Sequence, residues 1–430
     1  MLIPELYNIF KQHPVVTTDS RVCPKDSIFF ALKGPTFNGN EFAEKALEKG
    51  CSYAVVDEWE KDKQRSEHII LVDDVLTVLQ KLATYHRNQF KTPVIAITGT
   101  NGKTTTKELV AAVLAKQFKV VYTQGNFNNH IGVPLTLLSM TKEHEIAVVE
   151  MGANHPGEIK ELCEIAAPNF GLITNVGLAH LEGFGSFENI VKTKSELYQY
   201  LDQHEGKAFI NVDLKPILNL TTQLEMYEYG KDDLSLFVSG SVVTHYPYLE
   251  FDWHFFENNH RAKTSLVGGY NMDNALAAIA IGSFFGVNST FINDAIESYT
   301  PKNNRSQFEK TANNSLIVDA YNANPTSMKA ALDNFVDYPI SPKALIIGEM
   351  KELGGVSQAE HQQLVALLEA YSFSSVYLVG KAFKDVETDF PVFENVGDLI
   401  QHFTSEPLKE YCILIKGSNS IQLDKVVPYL

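Results

Sequence analysis

The chain has 430 residues, 44% of them hydrophobic and 20% charged, with a formal net charge of −16. That length suits about three domains, and the composition excludes a disordered chain. So negative a chain lacks the basic face of a general nucleic-acid binder, although a few placed cations and backbone amides suffice to hold an anionic ligand.

Residues 27–32 (SIFFAL) read as a strand. Residues 41–49 read as a helix with Phe42, Ala46 and Lys49 on one face and Gly50 as its stop. Residues 53–56 (YAVV) form another apolar run, residues 75–90 a second helix, and Thr92-Pro93 a linker. From Val94 onward short apolar runs at 94–97, 146–149, 171–174 and 208–210 alternate with helical segments. Runs of that kind suit buried parallel strands with helices on both faces. Residues 224–267 are rich in aromatic and β-branched residues and predict antiparallel strands, and residues 271–285 predict a helix buried all round. A further unit begins near Asn303, with strands at 315–320, 343–350, 374–380 and 411–417 separated by helices, the pattern of a second, doubly wound sheet. The expected class is therefore α/β in three domains. They are a small N-terminal α/β substrate domain (1–92), a central P-loop parallel-sheet ATPase domain (93–302) and a C-terminal Rossmann-like α/β domain (303–430).

The start, MLIPELYNIFKQHPVV, has no cationic segment leading an apolar core. The longest mostly apolar stretch, 275–287, is broken by Gly282 and Ser283 and falls short of the roughly 20 residues a membrane span needs. Cys23, Cys51, Cys163 and Cys412 are scattered and form no CxxC pair. A cytoplasmic protein with free thiols and no membrane insertion is expected.

The strongest local signal is Thr98-Gly99-Thr100-Asn101-Gly102-Lys103-Thr104-Thr105-Thr106, between the 94–97 strand and a helical pattern carrying Leu109, Ala112 and Val113. Glycines let backbone N–H groups face phosphate oxygens, Lys103 supplies charge at the terminal phosphates, and Thr104 offers a hydroxyl to Mg²⁺. Only Thr100 and Asn101 separate the two glycines, where the standard motif has four residues.

Glu150 ends the 146–149 strand, where a parallel sheet opens onto its crevice and a metal needs an oxygen ligand. His180, shortly after the 171–174 strand, is a candidate metal ligand or a structural histidine. Lys194 has Ile190, Val191, Leu197 and Tyr198 as its i±3 and i±4 neighbours, which puts it on the apolar stripe of its helix, whereas Lys192 falls on the wet face. An inward lysine snorkels, pairs with an acid, or stays neutral and reacts with CO₂ to give a carbamate.

Together these segments resemble the Mur ligase family of ATP-dependent amide-bond-forming enzymes, over essentially the whole chain. Asp19-Ser20-Arg21 and Phe29 to Gly34 are similar to the family's uridine-nucleotide pocket, and Gly125 to Asn129 with Gly132-Val133-Pro134 to a further substrate segment. Glu150 to Ala153 and Thr174 to His180 match two metal-proximal stretches, and Lys194 the carbamylated lysine. Asn271 with Asn274 to Ala278 looks like the adenine-side motif, and Arg305 with Asp319 to Pro325 like the C-terminal contacts to ATP. Met350, Glu352-Leu353-Gly354, His361 and Lys416-Gly417-Ser418 complete the pattern. The sequence departs from it at Tyr270, where a histidine is common, at Asn38 and Asn40, usually Asp and His, and at Asn419, usually an arginine.

The resemblance implies that ATP phosphorylates a peptide carboxylate and that an amine displaces phosphate from the acyl phosphate. The implied partners are UDP-N-acetylmuramoyl-tripeptide and D-alanyl-D-alanine. It assigns ATP to Gly99, Thr100, Asn101, Gly102, Lys103, Thr104, Thr105, Asn274, Arg305, Asp319 and Asn322. It assigns the muramyl and dipeptide substrates to Ser20, Arg21, Lys33, Gly34, Asn128, Asn129, Lys416, Gly417 and Ser418. It implies that Thr104 and Glu150 hold Mg²⁺ and that His180 with carbamylated Lys194 holds a second ion, the carbamate alternatively orienting a metal-bound water or a loop without touching the metal. Lys103, Glu150, His180, Lys194 and Arg305 carry the chemistry, in a monomer whose third domain moves on binding. A folylpolyglutamate synthetase-like ligase and a catalytically silent nucleotide-binding scaffold are the alternatives. The first gives the Asp19-Ser20-Arg21 unit no use, and the second leaves four intact reactive positions unexplained.

Overall fold

The structure is a computed structural model and describes residues 2–60, 66–214, 224–301 and 305–430. Asn303, the expected start of the third unit, lies outside the described residues.

At the N-terminus, strands Val16–Thr17, Ile28–Phe30, Tyr53–Val56 and Ile69–Leu71 form a parallel four-stranded sheet. Its two outer strands went unpredicted because two or three residues carry no readable period. The first predicted helix is shorter and rotated. A 3₁₀ turn, Gly39–Phe42, precedes Ala43–Glu48, so Ala43 and Ala46 are buried while Lys49 is exposed. Helix Val75–Arg87 is capped by Asp74, which accepts from the Thr77 N–H at 2.7 Å, and ends three residues before the predicted Phe90.

This helix joins the first sheet to the second. Leu79 and Leu82 share an apolar core with Leu137, Ile159 and Leu162 of the central unit. Arg87, only 5% exposed, donates to the carbonyls of Phe90, Ala166 and Ala167 and to Asn169 Oδ1, at 3.0–3.1 Å. An ordinary C-terminal arginine has here become a staple between helix ends.

The central sheet has nine strands. From one edge they run Val120–Tyr122, Ile146–Glu150, Val94–Thr98, Phe170–Ile173, Lys207–Asn211, Glu225–Lys231, Val238–Thr244, Glu250–Phe255 and Asn258–Lys263. Glu225–Lys231 and Val238–Thr244 extend the parallel part, and antiparallel pairing begins where Glu250–Phe255 adds to Val238–Thr244 and continues to Asn258–Lys263. The antiparallel expectation for 224–267 is thus half corrected: aromatic and β-branched content reports a strand but not its partner's direction. Helix Asn271–Phe284 is buried nearly all round, as its composition predicts. It packs on Lys103–Leu114, and a Cβ on Gly282 would lie 2.4 Å from Val113 Cγ1, so glycine permits the close approach.

The third sheet runs Gln307–Lys310, Ser315–Asp319, Cys412–Lys416, Lys343–Gly348, Ser375–Val379 and Val392–Phe393, parallel except for the first. Alternate residues feed two cores, one per face, which is the predicted doubly wound arrangement. The four cysteines are free, and no helix of the described residues is long and apolar enough to cross a membrane.

Replacing Arg87 by Met would strand the carbonyls of Phe90, Ala166 and Ala167 between helices, while Asn169 Oδ1 would keep the Val94 N–H. We expect a loss of about 2–4 kcal/mol in urea unfolding; an unchanged midpoint would show that the staple contributes no stability.

Candidate active site

Three strands of the central sheet, Val94–Thr98, Ile146–Glu150 and Phe170–Ile173, lie side by side and end on the same edge. The chain leaves the first of them through Gly99, at φ +141°, and enters helix Lys103–Leu114 through Gly102, at φ +78°. Both positions require glycine: a Cβ would meet Thr174 Oγ1 at 2.0 Å in one case and Asn274 Oδ1 at 2.5 Å in the other. The loop is braced from the third strand. Thr100 N–H donates to Asn175 O and Asn101 N–H to Asn175 Oδ1, both at 2.9 Å, and Thr174 Oγ1 donates to Asn101 O at 2.6 Å. No side chain caps the helix, so its first N–H groups are left for an anion. Lys103 folds back over the loop, with Nζ donating to the Gly99 and Thr100 carbonyls at 2.8 and 2.9 Å.

Glu150 is 1% exposed. Its Oε1 accepts from Thr104 Oγ1 at 3.2 Å and Asn128 Nδ2 at 2.8 Å, while Oε2 has no hydrogen-bond partner. Lys107 Nζ lies 4.0 Å from Oε2 and donates to Thr123 O at 2.8 Å. Burial pushes the Lys103 and Lys107 ammonium groups below the usual lysine range, and the Glu150 charge opposes this at both. Sequence reasoning missed Lys107. Its signal was the one used for Lys194, since Val110, Ala111 and Leu114 follow it at i+3, i+4 and i+7 and all are buried.

The third unit closes the space above the loop. Asn324 caps helix Pro325–Val336 and exchanges amide hydrogen bonds with Asn101, at 2.8 Å in one direction and 3.4 Å in the other. Leu178 N–H donates to Thr326 Oγ1 at 2.9 Å. His180 Nδ1 lies 2.5 Å from Glu352 Oε2, and the ring holds the Glu352 carboxyl below its usual range. Both residues have left-handed backbone, at φ +52° and +62°. Arg305 lies 3.6 Å from the centre of the Tyr321 ring and keeps a buried Nε without a partner. The cavity between these groups is about 580 Å³.

Of the residues predicted for ATP and metal, Thr100 to Thr105, Glu150, His180, Asn274, Arg305, Asp319 and Asn322 line this cavity. Gly99 shapes the loop from behind. Lys194 does not line the cavity. It is 2% exposed with Nζ 5.5 Å from the Phe184 ring, and burial together with the Lys103 charge pushes its ammonium well below the usual range, against Glu158 and Glu196. The inward orientation is as predicted, and Lys192 is exposed as predicted. Among the described residues no three His, Cys, Asp or Glu side chains converge on a metal-sized space.

The predicted substrate residues are dispersed. Asn128 and Asn129 line the cavity, though Asn129 Oδ1 is spent on the Ile131 and Gly132 N–H groups. Lys416 lines it too, buried, with Nζ 2.6 Å from Asp319 Oδ2. Gly417 packs against Gly348, and Ser418 Oγ accepts from Lys351 N–H at 3.1 Å. Ser20, Arg21, Lys33 and Gly34 lie in the N-terminal unit, outside the cavity lining. There Arg21 pairs with Asp19 at 2.8 Å, holding the aspartate down to about 2, and Lys33 reaches Asp57 and Glu58, each at 3.1 Å.

Residues 97–282 match the model of the Mur ligase middle domain, and residues 304–419 that of the Mur ligase glutamate ligase domain. The chain is 35% identical to the UDP-N-acetylmuramoyl-tripeptide–D-alanyl-D-alanine ligase of Bacillus subtilis (strain 168), over 96% of this chain and 92% of the relative. It superposes with TM-score 0.82 and 28% identity on the UDP-N-acetylmuramoylalanyl-D-glutamyl-2,6-diaminopimelate–D-alanyl-D-alanyl ligase of Acinetobacter baumannii, over 96% and 92% of the two chains. The MurF ligase of Thermotoga maritima in complex with ADP gives TM-score 0.85 at 25% identity, over 97% of each.

An unfolded lysine titrates near 10.4, well above the folded value of Lys194, so unfolding takes up a proton between those limits. This side chain therefore costs stability that grows as pH falls through that window. Lys194→Met is expected to gain stability relative to the parent at about pH 7 and to lose that gain towards about pH 9.5. A urea-midpoint difference that stays flat across the range would contradict the assignment.

Proposed function

The chain belongs to the Mur ligase family, and we propose that it is the ATP-dependent ligase that joins D-alanyl-D-alanine to UDP-N-acetylmuramoyl-tripeptide in peptidoglycan precursor synthesis. The observation that carries this reading is the convergence of Lys103, Glu150, His180 and Arg305 on one cavity closed by the third unit.

A carboxylate is a poor electrophile, and ATP is a second anion. Bringing the two together requires fixed positive charge at their meeting point. The loop amides and the helix N-terminus take the phosphates. Lys103, released from the Gly99 and Thr100 carbonyls, and Arg305 from the opposite side neutralise the transferred group. The tripeptide carboxylate attacks the terminal phosphorus, the bond to ADP breaks, and an acyl phosphate forms. The dipeptide amine then attacks the acyl carbon and loses its proton, and the C–O bond to phosphate breaks. Closure of the cavity excludes water that would hydrolyse the intermediate.

The Glu150 carboxylate, whose buried Oε2 has no hydrogen bond and whose Oε1 meets the Thr104 hydroxyl, gives with that hydroxyl an all-oxygen set that fits Mg²⁺. Thr104 and Glu150 would hold that ion, which when bound offsets charge on the end phosphates. We assign Lys194 a carbamate. Its amine, kept neutral by burial, would add to CO₂ with loss of a proton, and the resulting anion would balance Lys103 and, with His180, offer donors to a second ion. The N-terminal unit (1–92), through Ser20, Arg21, Lys33 and Gly34, takes the uridine end, the central unit (93–302) takes ATP, and the third (303–430) completes the site with Asp319, Asn322 and Lys416. One chain supplies every part, so it works as a monomer, in the cytoplasm where ATP is available.

Phosphate release should require ATP, the muramyl tripeptide and D-alanyl-D-alanine together. Turnover driven by a folate and glutamate instead would refute the assignment. Lys103→Met should lower kcat about 10²–10³-fold. Lys194→Ala should lose at least about tenfold and regain part of it with added short-chain carboxylate; full activity without addition removes the carbamate from the mechanism.

A further inference from the structure

Beside the cavity lies a second groove, of about 530 Å³, between helices Pro325–Val336 and Ser357–Ala370. The two spaces adjoin, and Thr326 and Ala330 line both. Its floor is Met328, Met350 and Leu364, all nearly inaccessible, with Leu367 on the wall. Its polar groups are unevenly spent. Lys329 is paired with Asp333 at 2.6 Å. Glu360, in the first turn of the second helix and half-buried, has no hydrogen bond or ion pair among the described residues, and burial alone raises its carboxyl above the usual range. An apolar trough with one unpaired acid complements an aliphatic stem that carries a cation.

We propose that this groove receives the side chain of the tripeptide's last residue, an aliphatic chain ending in an amine, with Glu360 pairing to its ammonium. The inference rests on the function proposed above. In that reaction the reacting carboxylate belongs to the last residue itself, so its side chain leaves the cavity one atom from the reacting carbon and must find space next door. The name of the Acinetobacter relative places 2,6-diaminopimelate there, a residue of this chemical kind. The other candidate occupant is D-alanyl-D-alanine. Beyond its reacting amine, that molecule presents only a carboxylate, which Glu360 and Asp333 would repel. Lysine and diaminopimelate share the stem and the amine, and they differ in a terminal carboxylate that only Lys329, already paired, stands near in this groove.

The test compares three muramyl tripeptides, ending in L-lysine, meso-diaminopimelate or norleucine, with the full-length enzyme and its Glu360→Gln variant. Gln keeps the shape and removes the charge. We expect the parent to show a KM about tenfold lower for the amine-bearing peptides than for the norleucine one, and Glu360→Gln to abolish that preference. The KM for D-alanyl-D-alanine and the KM for the norleucine peptide should not move. A preference for the lysine peptide over the diaminopimelate one, lost in the variant, identifies lysine as the residue matched; the reverse order identifies diaminopimelate. A variant that changes the dipeptide KM instead gives the groove to the incoming amine and overturns the proposal. Equal KM values for all three peptides in the parent also overturn it. No turnover of any peptide by the parent sinks the underlying function, and this inference with it.

Discussion

Lys103 and Lys107 turn inward beside one strand-end carboxylate, Glu150, and Lys194 is buried where it feels the Lys103 charge, in a chain whose net charge is −16. The other acids at the cavity wall are engaged: Asp319 by Lys416, Asp273 by Lys231, Glu158 by the Asn154 and His155 N–H groups, and Glu161 by Gln80. The cations are therefore under-compensated, and burial holds the three lysines below their usual range. Such an arrangement weakens the empty fold and is relieved when a polyphosphate enters, so part of the ligand's binding energy is the removal of a strain already present. The surplus is local. The rest of the surface is acidic enough to discourage unrelated polyanions.

The fold delivers this surplus because three parallel strands end on one edge and the chain turns sharply at Gly99 and Gly102, where side chains would collide with Thr174 and Asn274. Helix Asn271–Phe284 has its own reason to be there. It packs on the phosphate-loop helix across Gly282, and its Asn274 accepts from Thr106 at 3.0 Å, so an almost wholly apolar helix brings one amide to the loop's flank. The Glu150 carboxylate is aimed from the other flank by Asn128, whose backbone carbonyl also accepts from Gly152 N–H at 2.7 Å. Packing decides where these polar groups sit, and the polar groups decide what can bind.

Much of this was legible from residue spacing. The short phosphate loop announced itself between an apolar run and a helix, and Lys194 announced its burial by its i±3 and i±4 neighbours. Lys107 carried the same mark and was passed over because the motif beside it drew the reading to phosphate contacts. Other features have no local trace. The Glu352 that faces His180 comes from another sheet, and the Asp319 that absorbs Lys416 lies 97 residues away. Lys416 reads as a substrate ligand from sequence, and its ion pair with Asp319 within its own unit has no local trace. Strand direction in 224–267 escaped for a related reason: alternation records which face is buried, and pairing direction depends on a neighbour elsewhere in the chain.

Near the loop, the contacts that dock the third unit are small and polar: an exchange of amide bonds between Asn101 and Asn324, one N–H from Leu178 to Thr326, a hydroxyl pair between Tyr270 and Ser306, and the His180–Glu352 contact. Farther out, Val267, Leu181, Tyr246 and Tyr248 pack on the third unit's apolar core. Water can replace each polar contact at little net cost, whereas buried apolar contacts cannot be opened so cheaply. The two residues of the charged contact also hold left-handed backbone, a conformation that costs roughly 1–3 kcal/mol for a side-chain-bearing residue and persists only while its surroundings enforce it. The first and central units, by contrast, are joined through a continuous apolar core and the Arg87 staple. The two joints therefore differ in kind: buried side chains fix the first unit to the second, while the face that the third unit turns to the phosphate loop is held chiefly by hydrogen bonds, which an incoming polyphosphate can compete for.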